Sequence, residues 1–191
     1  DSEKIIMDVE LKSLIEKDCY RYFGEEKRPL FYKRRIFTLK YIIAFRKASY
    51  YANKNLILGF YYKWKLRNIE RRCDIDIPIG LNIGEGLHIA HRGTIVIYPY
   101  ASLGKNIYIS ANATIGLQNR GKKRGVPIIG DNVWIGANSV IVGKVKIGSN
   151  VLIAPNTYIN FDVPDNSIVL GSPGNIIPRE NAVEGYILNK V

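Results

Sequence analysis

Ile129-Gly130-Asp131-Asn132-Val133-Trp134-Ile135-Gly136-Ala137-Asn138-Ser139-Val140-Ile141 is the stretch whose reading decides the fold. An isoleucine returns every sixth residue, a glycine follows Ile129 and Ile135, and Val133 and Ser139 stand four places after an isoleucine. The same aliphatic column runs outward in both directions: Ile77, Ile83, Ile89, then Ile97, Leu103, Ile109, Ile115 on one side, and Ile147, Ile153, Ile159 on the other. A helix repeats every 3.6 residues and a flat strand every two, so a strict six belongs to neither. Three short strands joined by tight corners satisfy it, forming a triangular coil of eighteen residues with one aliphatic side chain per wall pointing inward. Each coil buries its neighbour's inward row, and none is stable alone. Corner triplets such as Gly104-Lys105-Asn106, Gly130-Asp131-Asn132 and Gly148-Ser149-Asn150 suit turns that need positive φ or Asx-type hydrogen bonds. About four coils stack into a prism on the order of 20 Å tall at the ~4.8 Å strand spacing.

Outside the repeat the chain changes character. Of 191 residues with a formal charge of +11, the segment from Arg21 to Arg72 holds fifteen Lys or Arg against three acids. Apolar residues at helical spacing predict a helix over about 4–18, and a turn around Gly24–Pro29 leads to a second helix over about 30–51. A third spans about 56–70 after the Asn53-Lys54-Asn55 break. Aromatic residues alternate with cations there, as in Phe60-Tyr61-Tyr62-Lys63-Trp64-Lys65. Three readings stay open for these helices: packing on the prism or on neighbouring subunits, a basic amphipathic surface on anionic lipid, and nucleic acid, for which no binding motif is present. Cys19 and Cys73 fit neither a metal spacing nor a disulfide framework, which suits a reducing cytosol. No signal-peptide pattern and no apolar run of membrane-spanning length is visible. The expected divisions are a helical region over 1–73, a coil over 74–178 and a tail or short helix over 179–191.

The pattern at 129–141, together with Gly86-Leu87-His88-Ile89-Ala90-His91-Arg92-Gly93-Thr94-Ile95-Val96-Ile97, resembles the hexapeptide-repeat, left-handed parallel β-helix acyltransferases. More narrowly it is similar to the serine acetyltransferase branch and its relatives that acetylate surface polysaccharides. The resemblance covers roughly 75–178. It implies acetyl-CoA as co-substrate, no metal, and a homotrimer whose active sites lie between adjacent prisms.

Acyl transfer to an alcohol needs its proton removed as the oxygen attacks, and an imidazole suits that at neutral pH. Only His88 and His91 are present, and the family's register selects His91 as general base. In serine acetyltransferase the base follows an Asp, where this chain has Ala90, and a second His precedes the mid-domain Pro, where this chain has Val126. Another group must then orient His91. Asp74, Asp76 and Glu85 are the candidates, and with Arg92 they are the expected acceptor-side residues. The missing pair directs the expectation to a sugar hydroxyl in surface polysaccharide synthesis, with L-serine as the alternative and a non-catalytic trimeric scaffold or membrane-docking protein as the third reading.

Between Ile115 and Ile129 the count of six is broken by Gln118–Pro127, whose Lys122, Lys123 and Arg124 are expected to meet phosphates of coenzyme A or of the acceptor. The family register further implicates Ala137, Pro155, Asn160 and Phe161 in the coenzyme A groove, while Trp134 is expected to serve packing more than the groove. Two histidines cannot supply the three-imidazole zinc site of the carbonic anhydrases that share this architecture. A cytoplasmic enzyme is expected, with the basic aromatic helices offered to the inner face of the membrane and no nucleic acid as partner.

Overall fold

In the computed structural model, residues 2–25 and 36–191 are described, with side chains from Val9 onward. The repeat folds into a left-handed parallel β-helix with three walls. The first wall stacks β1 (Ile75–Asp76), β4 (Ile95–Ile97), β7 (Thr114–Gly116), β10 (Val140–Val142) and β13 (Tyr158–Ile159). The second stacks β2 (Asn82–Ile83), β5 (Ser102–Leu103), β8 (Ile128–Ile129) and β11 (Lys146–Ile147). The third stacks β3 (His88–Ile89), β6 (Tyr108–Ile109), β9 (Val133–Ile135), β12 (Val151–Ile153) and β14 (Ser167–Leu170).

Register explains the aliphatic column. Ile97, Ile115, Ile141 and Ile159 stand over one another on the first wall, and Ile83, Leu103, Ile129 and Ile147 on the second. Ile89, Ile109, Ile135, Ile153 and Val169 do so on the third, and every one of these side chains is buried. Each contributes about 1.5–3 kcal/mol by leaving water. The second inward position behaves alike: Ser139 and Thr157 are buried there, and both hydroxyls donate to the Ala154 carbonyl, at 3.0 and 2.6 Å. At the corners Asn106, Asn112, Asn132, Asn138, Asn150 and Asn156 take positive φ, a conformation that Asn tolerates better than other L-residues. Their amides pair from coil to coil, as in Asn112 to Asn138 (3.0 Å) and Asn138 to Asn156 (3.1 Å).

Among the described residues three helices precede the coil: α1 (Ser2–Phe23), α2 (Phe37–Tyr51) and α3 (Leu56–Cys73). The first runs five residues further than its apolar spacing predicts and closes at Gly24 (φ 58), whose N–H bonds the Tyr20 carbonyl. Residues 26–35, with the expected turn through Pro29 and helix start at Leu30, lie outside the described residues. Asn55 caps α3 by accepting from the Leu58 N–H, and Asp74 (φ 54) ends it directly at the first wall. Gly59 lets α2 and α3 approach closely: a Cβ there would sit 2.8 Å from the Tyr51 carbonyl oxygen.

The helices cap the first coil, α1 and α2 against β3 and α3 against β1. The other end of the coil falls short of the expected boundary at 178. The parallel coil ends at Leu170, because β15 (Asn175–Pro178) turns back antiparallel on β14. The segment 179–191 is a tail of turns and bends, with Ala182, Val183 and Ile187 buried against the third wall.

Candidate active site

Three departures from the count of six stand out: eight residues from Ile89 to Ile97, fourteen from Ile115 to Ile129, and four from Ile159 to Val163. The fold places all three on the two edges that bound the first wall. One edge joins the third wall to the first, and the other joins the first wall to the second.

The earliest departure holds His91. Corners on that edge elsewhere take six residues from column to column, so this one carries two more, and His91 and Arg92 stand exposed on it. The excursion is tied down at its base, where Gly93 N–H bonds the Cys73 carbonyl (3.2 Å) and Ile95 N–H the Asp74 carbonyl (3.0 Å). Gly93 is required: its φ is 150°, and a Cβ would meet that of Ala111 at 2.9 Å. Arg92 spreads over the Phe37 ring, 5.1 Å from its centroid.

Of the three acids expected to orient His91, the structure separates one from it. Glu85 lies on the back edge, between the second and third walls, and is held by Lys17 (2.6 Å) and Lys105 (3.0 Å). Those two ammonium groups keep its carboxyl below the usual range. Asp74, the cap of α3, and Asp76, on the strand beneath the His91 corner, are both exposed at the foot of the first wall.

Ala137 and Pro155 share His91's edge, two and three coils along, at rises of about 10 and 14 Å. The Asn112–Asn138–Asn156 ladder runs beside them. Between the two edges the first wall presents Asp76, Val96, Thr114, Val140 and Tyr158 outward in one register row.

On the opposite edge the loop 118–127 is a closed hairpin, Gln118 and Gly125 exchanging two backbone hydrogen bonds of 3.0 Å. Lys122 and Arg124 are exposed at its rim. Lys123 departs from expectation, since its ammonium is engaged by Asp162 at 2.8 Å. That contact, with a hydrogen bond from the Lys146 N–H, holds Asp162 below the usual carboxylate range. Asn160 is exposed on the same edge, whereas Phe161 packs half-buried against the core instead of standing clear of it.

His88 occupies a different environment. It lies on the third wall between Tyr22 (centroids 4.0 Å apart) and Tyr108 (4.9 Å), and the column continues through Trp134 to Tyr186. Trp134 is thus covered by the chain's own C-terminal segment. Burial, followed by the nearby Arg21 guanidinium, pushes the His88 pKa down to about 4. The folded chain therefore keeps this imidazole neutral where the unfolded one binds a proton, so its contribution is full above pH ~6.5 and is lost as pH falls towards ~4. The expected loss is about 3 kcal/mol across that window. Urea titrations of wild type and His88→Gln over this range check it: the variant should lack this part of the acid slope, and parallel slopes would refute the assignment.

Cys73 is buried at the end of α3, and burial raises its thiol pKa, which suits packing more than nucleophilic chemistry. Among the described residues no group of three or more His, Cys, Asp or Glu converges as metal ligands would.

Comparison with known proteins adds the following. Residues 127–160 match the family described as bacterial transferase hexapeptide (six repeats). A serine acetyltransferase of Staphylococcus epidermidis is 40% identical over 106 residues, 56% of this chain and 50% of its own length. One from Staphylococcus aureus is 39% identical over 113 residues, 58% of this chain and 52% of its own. The chain therefore spans about half the length of these relatives. Among solved structures, the serine acetyltransferase of Neisseria gonorrhoeae superposes with a TM-score of 0.73 at 25% identity, covering 98% of this chain and 74% of that one. Its complex with serine gives 0.71 at 27%, covering 92% and 72%. The coil is thus a left-handed β-helix built of hexapeptide repeats, and the chain is similar to the serine acetyltransferases.

Proposed function

We propose that the protein is an acetyl-CoA-dependent O-acetyltransferase with His91 as its general base. The observation that carries this reading is the gathering of the sequence's irregularities on the edges of one wall: an imidazole lifted out at one edge and a cationic hairpin at the other. His91 takes the proton of the acceptor hydroxyl while the oxygen bonds to the thioester carbonyl carbon. The C–S bond then breaks, the imidazolium returns the proton to the thiolate, and backbone N–H groups of the edge stabilise the oxyanion between these steps. Asp76 or Asp74 orients the imidazole from the wall below. Ala137 and Pro155 would flank the pantetheine arm, with Asn160 nearby on the opposite edge and Lys122 and Arg124 meeting phosphates.

A homotrimer in the cytoplasm belongs to this reading, with a second prism closing the groove over the first wall. Similarity to serine acetyltransferases supports L-serine as acceptor and backs it better than the sugar hydroxyl. The sugar reading keeps one specific support: Ala90 and Val126 stand where that family has an Asp and a His. Thiol release from acetyl-CoA, with L-serine and a panel of sugars and nucleotide sugars offered separately, decides between them. Turnover with L-serine alone is expected from the similarity, turnover with a sugar alone would replace it, and none with any acceptor would refute the enzyme as proposed.

A further inference from the structure

Helix α3 packs through Gly59, Leu66 and Cys73, all buried and spaced seven apart on one side. At 3.6 residues per turn the opposite side carries Ile57, Tyr61, Trp64, Asn68 and Arg71. Its N-terminal half is apolar and open: Leu56 is 91% exposed, Ile57 81%, Phe60 77% and Trp64 59%. The C-terminal half is basic, with Lys65, Arg67, Arg71 and Arg72 exposed. The helix has one acid, Glu70, which sits half-buried toward the packed side, where burial and Asp76 raise its pKa. The outward face is therefore aliphatic and aromatic at one end, cationic at the other, and free of acids.

We infer that this face of α3 docks on an anionic phospholipid surface. Leu56, Ile57 and Phe60 enter the boundary between headgroups and acyl chains, Tyr61 and Trp64 sit at the interface, and the guanidinium groups of Arg67, Arg71 and Arg72 meet lipid phosphates. Charge decides the occupant. A second copy brings no acid to this basic face: a parallel two-fold pair would set cations against cations, and an antiparallel one would leave both cationic ends uncompensated. An anionic bilayer offers both an apolar layer and the opposite charge. Among the described residues no helix is long and apolar enough to cross a membrane, so the contact is peripheral. The inference does not depend on the acceptor, because the face lies outside the two edges that hold His91 and the cationic hairpin.

The test is co-sedimentation of the full chain with phosphatidylglycerol vesicles and, separately, phosphatidylcholine vesicles at low salt. Wild type is expected to bind the first and not the second, and to be released by added salt. Arg71→Gln/Arg72→Gln should weaken partition about thirty-fold. Phe60→Ser/Trp64→Ser should weaken it at least as far, with sedimentation-equilibrium mass, melting temperature and thiol release unchanged in both variants. Absence of wild-type binding, equal binding to both vesicles, or binding that survives both substitutions overturns the inference. So does a fall in oligomer mass in Phe60→Ser/Trp64→Ser, which would assign the face to a contact between copies.

Discussion

His91→Ala is expected to lower the rate of thiol release by about 10²–10⁴-fold while acetyl-CoA still binds. The size follows from the role, since a hydroxyl is a weak nucleophile until its proton has somewhere to go. His91 is exposed and its corner is held by the Gly93 and Ile95 backbone bonds, so the substitution removes no buried contact. The melting temperature should therefore stay within about a degree of wild type, because surface changes away from special features cost little. Steady-state thiol release at saturating acetyl-CoA, paired with a binding titration, separates the two effects. A variant that turns over within a few-fold of wild type would remove His91 from the mechanism. Its two extra corner residues would then be a surface irregularity.

The largest stability effect is expected at Arg46. Its Nε donates to Asp18 at 2.8 Å, and its two terminal nitrogens reach the Ile83 and Gly84 carbonyls at 2.7 and 2.6 Å. Asp18 in turn accepts from the Leu87 N–H at 2.8 Å. Both side chains are buried, so this network ties α1 and α2 to the open end of the prism. Arg46→Ala leaves a buried carboxylate without its counter-charge and two carbonyls without donors, a loss of about 3–5 kcal/mol. The same pair replaced by apolar residues of like volume would cost far less, because what destabilises is the unpaired charge.

The pH dependence has a definite sign. Burial already raises the Asp18 pKa in the folded chain, with Arg46 acting against it. Without Arg46 the folded carboxyl holds its proton more tightly still, so the folded state binds a proton that the unfolded chain releases above about pH 4. The difference between wild type and variant should therefore shrink in acid and grow as pH rises. Taking that difference at each pH cancels the opposite slope from His88. Urea unfolding at neutral and acidic pH measures it, and a loss below about 1 kcal/mol, or one that ignores pH, would mean that water or a rearranged side chain meets Asp18.

Much of this molecule was legible from one column of side chains. Ile77 through Ile159 specify the walls, the inward row and the stacking, because a period of six leaves a chain no helical or flat-strand solution that hides every isoleucine. The Asn corners were equally readable, since few residue types accept positive φ. Helix ends were less so. The apolar spacing of α1 and α3 fades before Phe23 and Cys73, where Arg21 is held by the Gly86 carbonyl and Cys73 by its burial at the first coil.

What the sequence by itself determined is the coil, its inward column, and the few residues, His91 first among them, with chemistry to offer. Tertiary structure alone decided which of them share an edge. Ala137, Pro155 and His91 come together because each coil adds one strand spacing to the same corner, while Glu85, six residues before His91, is carried to another edge by a single turn. It also decided the fates of the two histidines. His88 and His91 are three apart, yet one is stacked between tyrosines and the other stands in water. The physical reason is general: local periodicity is written in neighbouring side chains, whereas burial and polar pairing depend on residues far along the chain, such as Asp18 and Leu87, 69 positions apart.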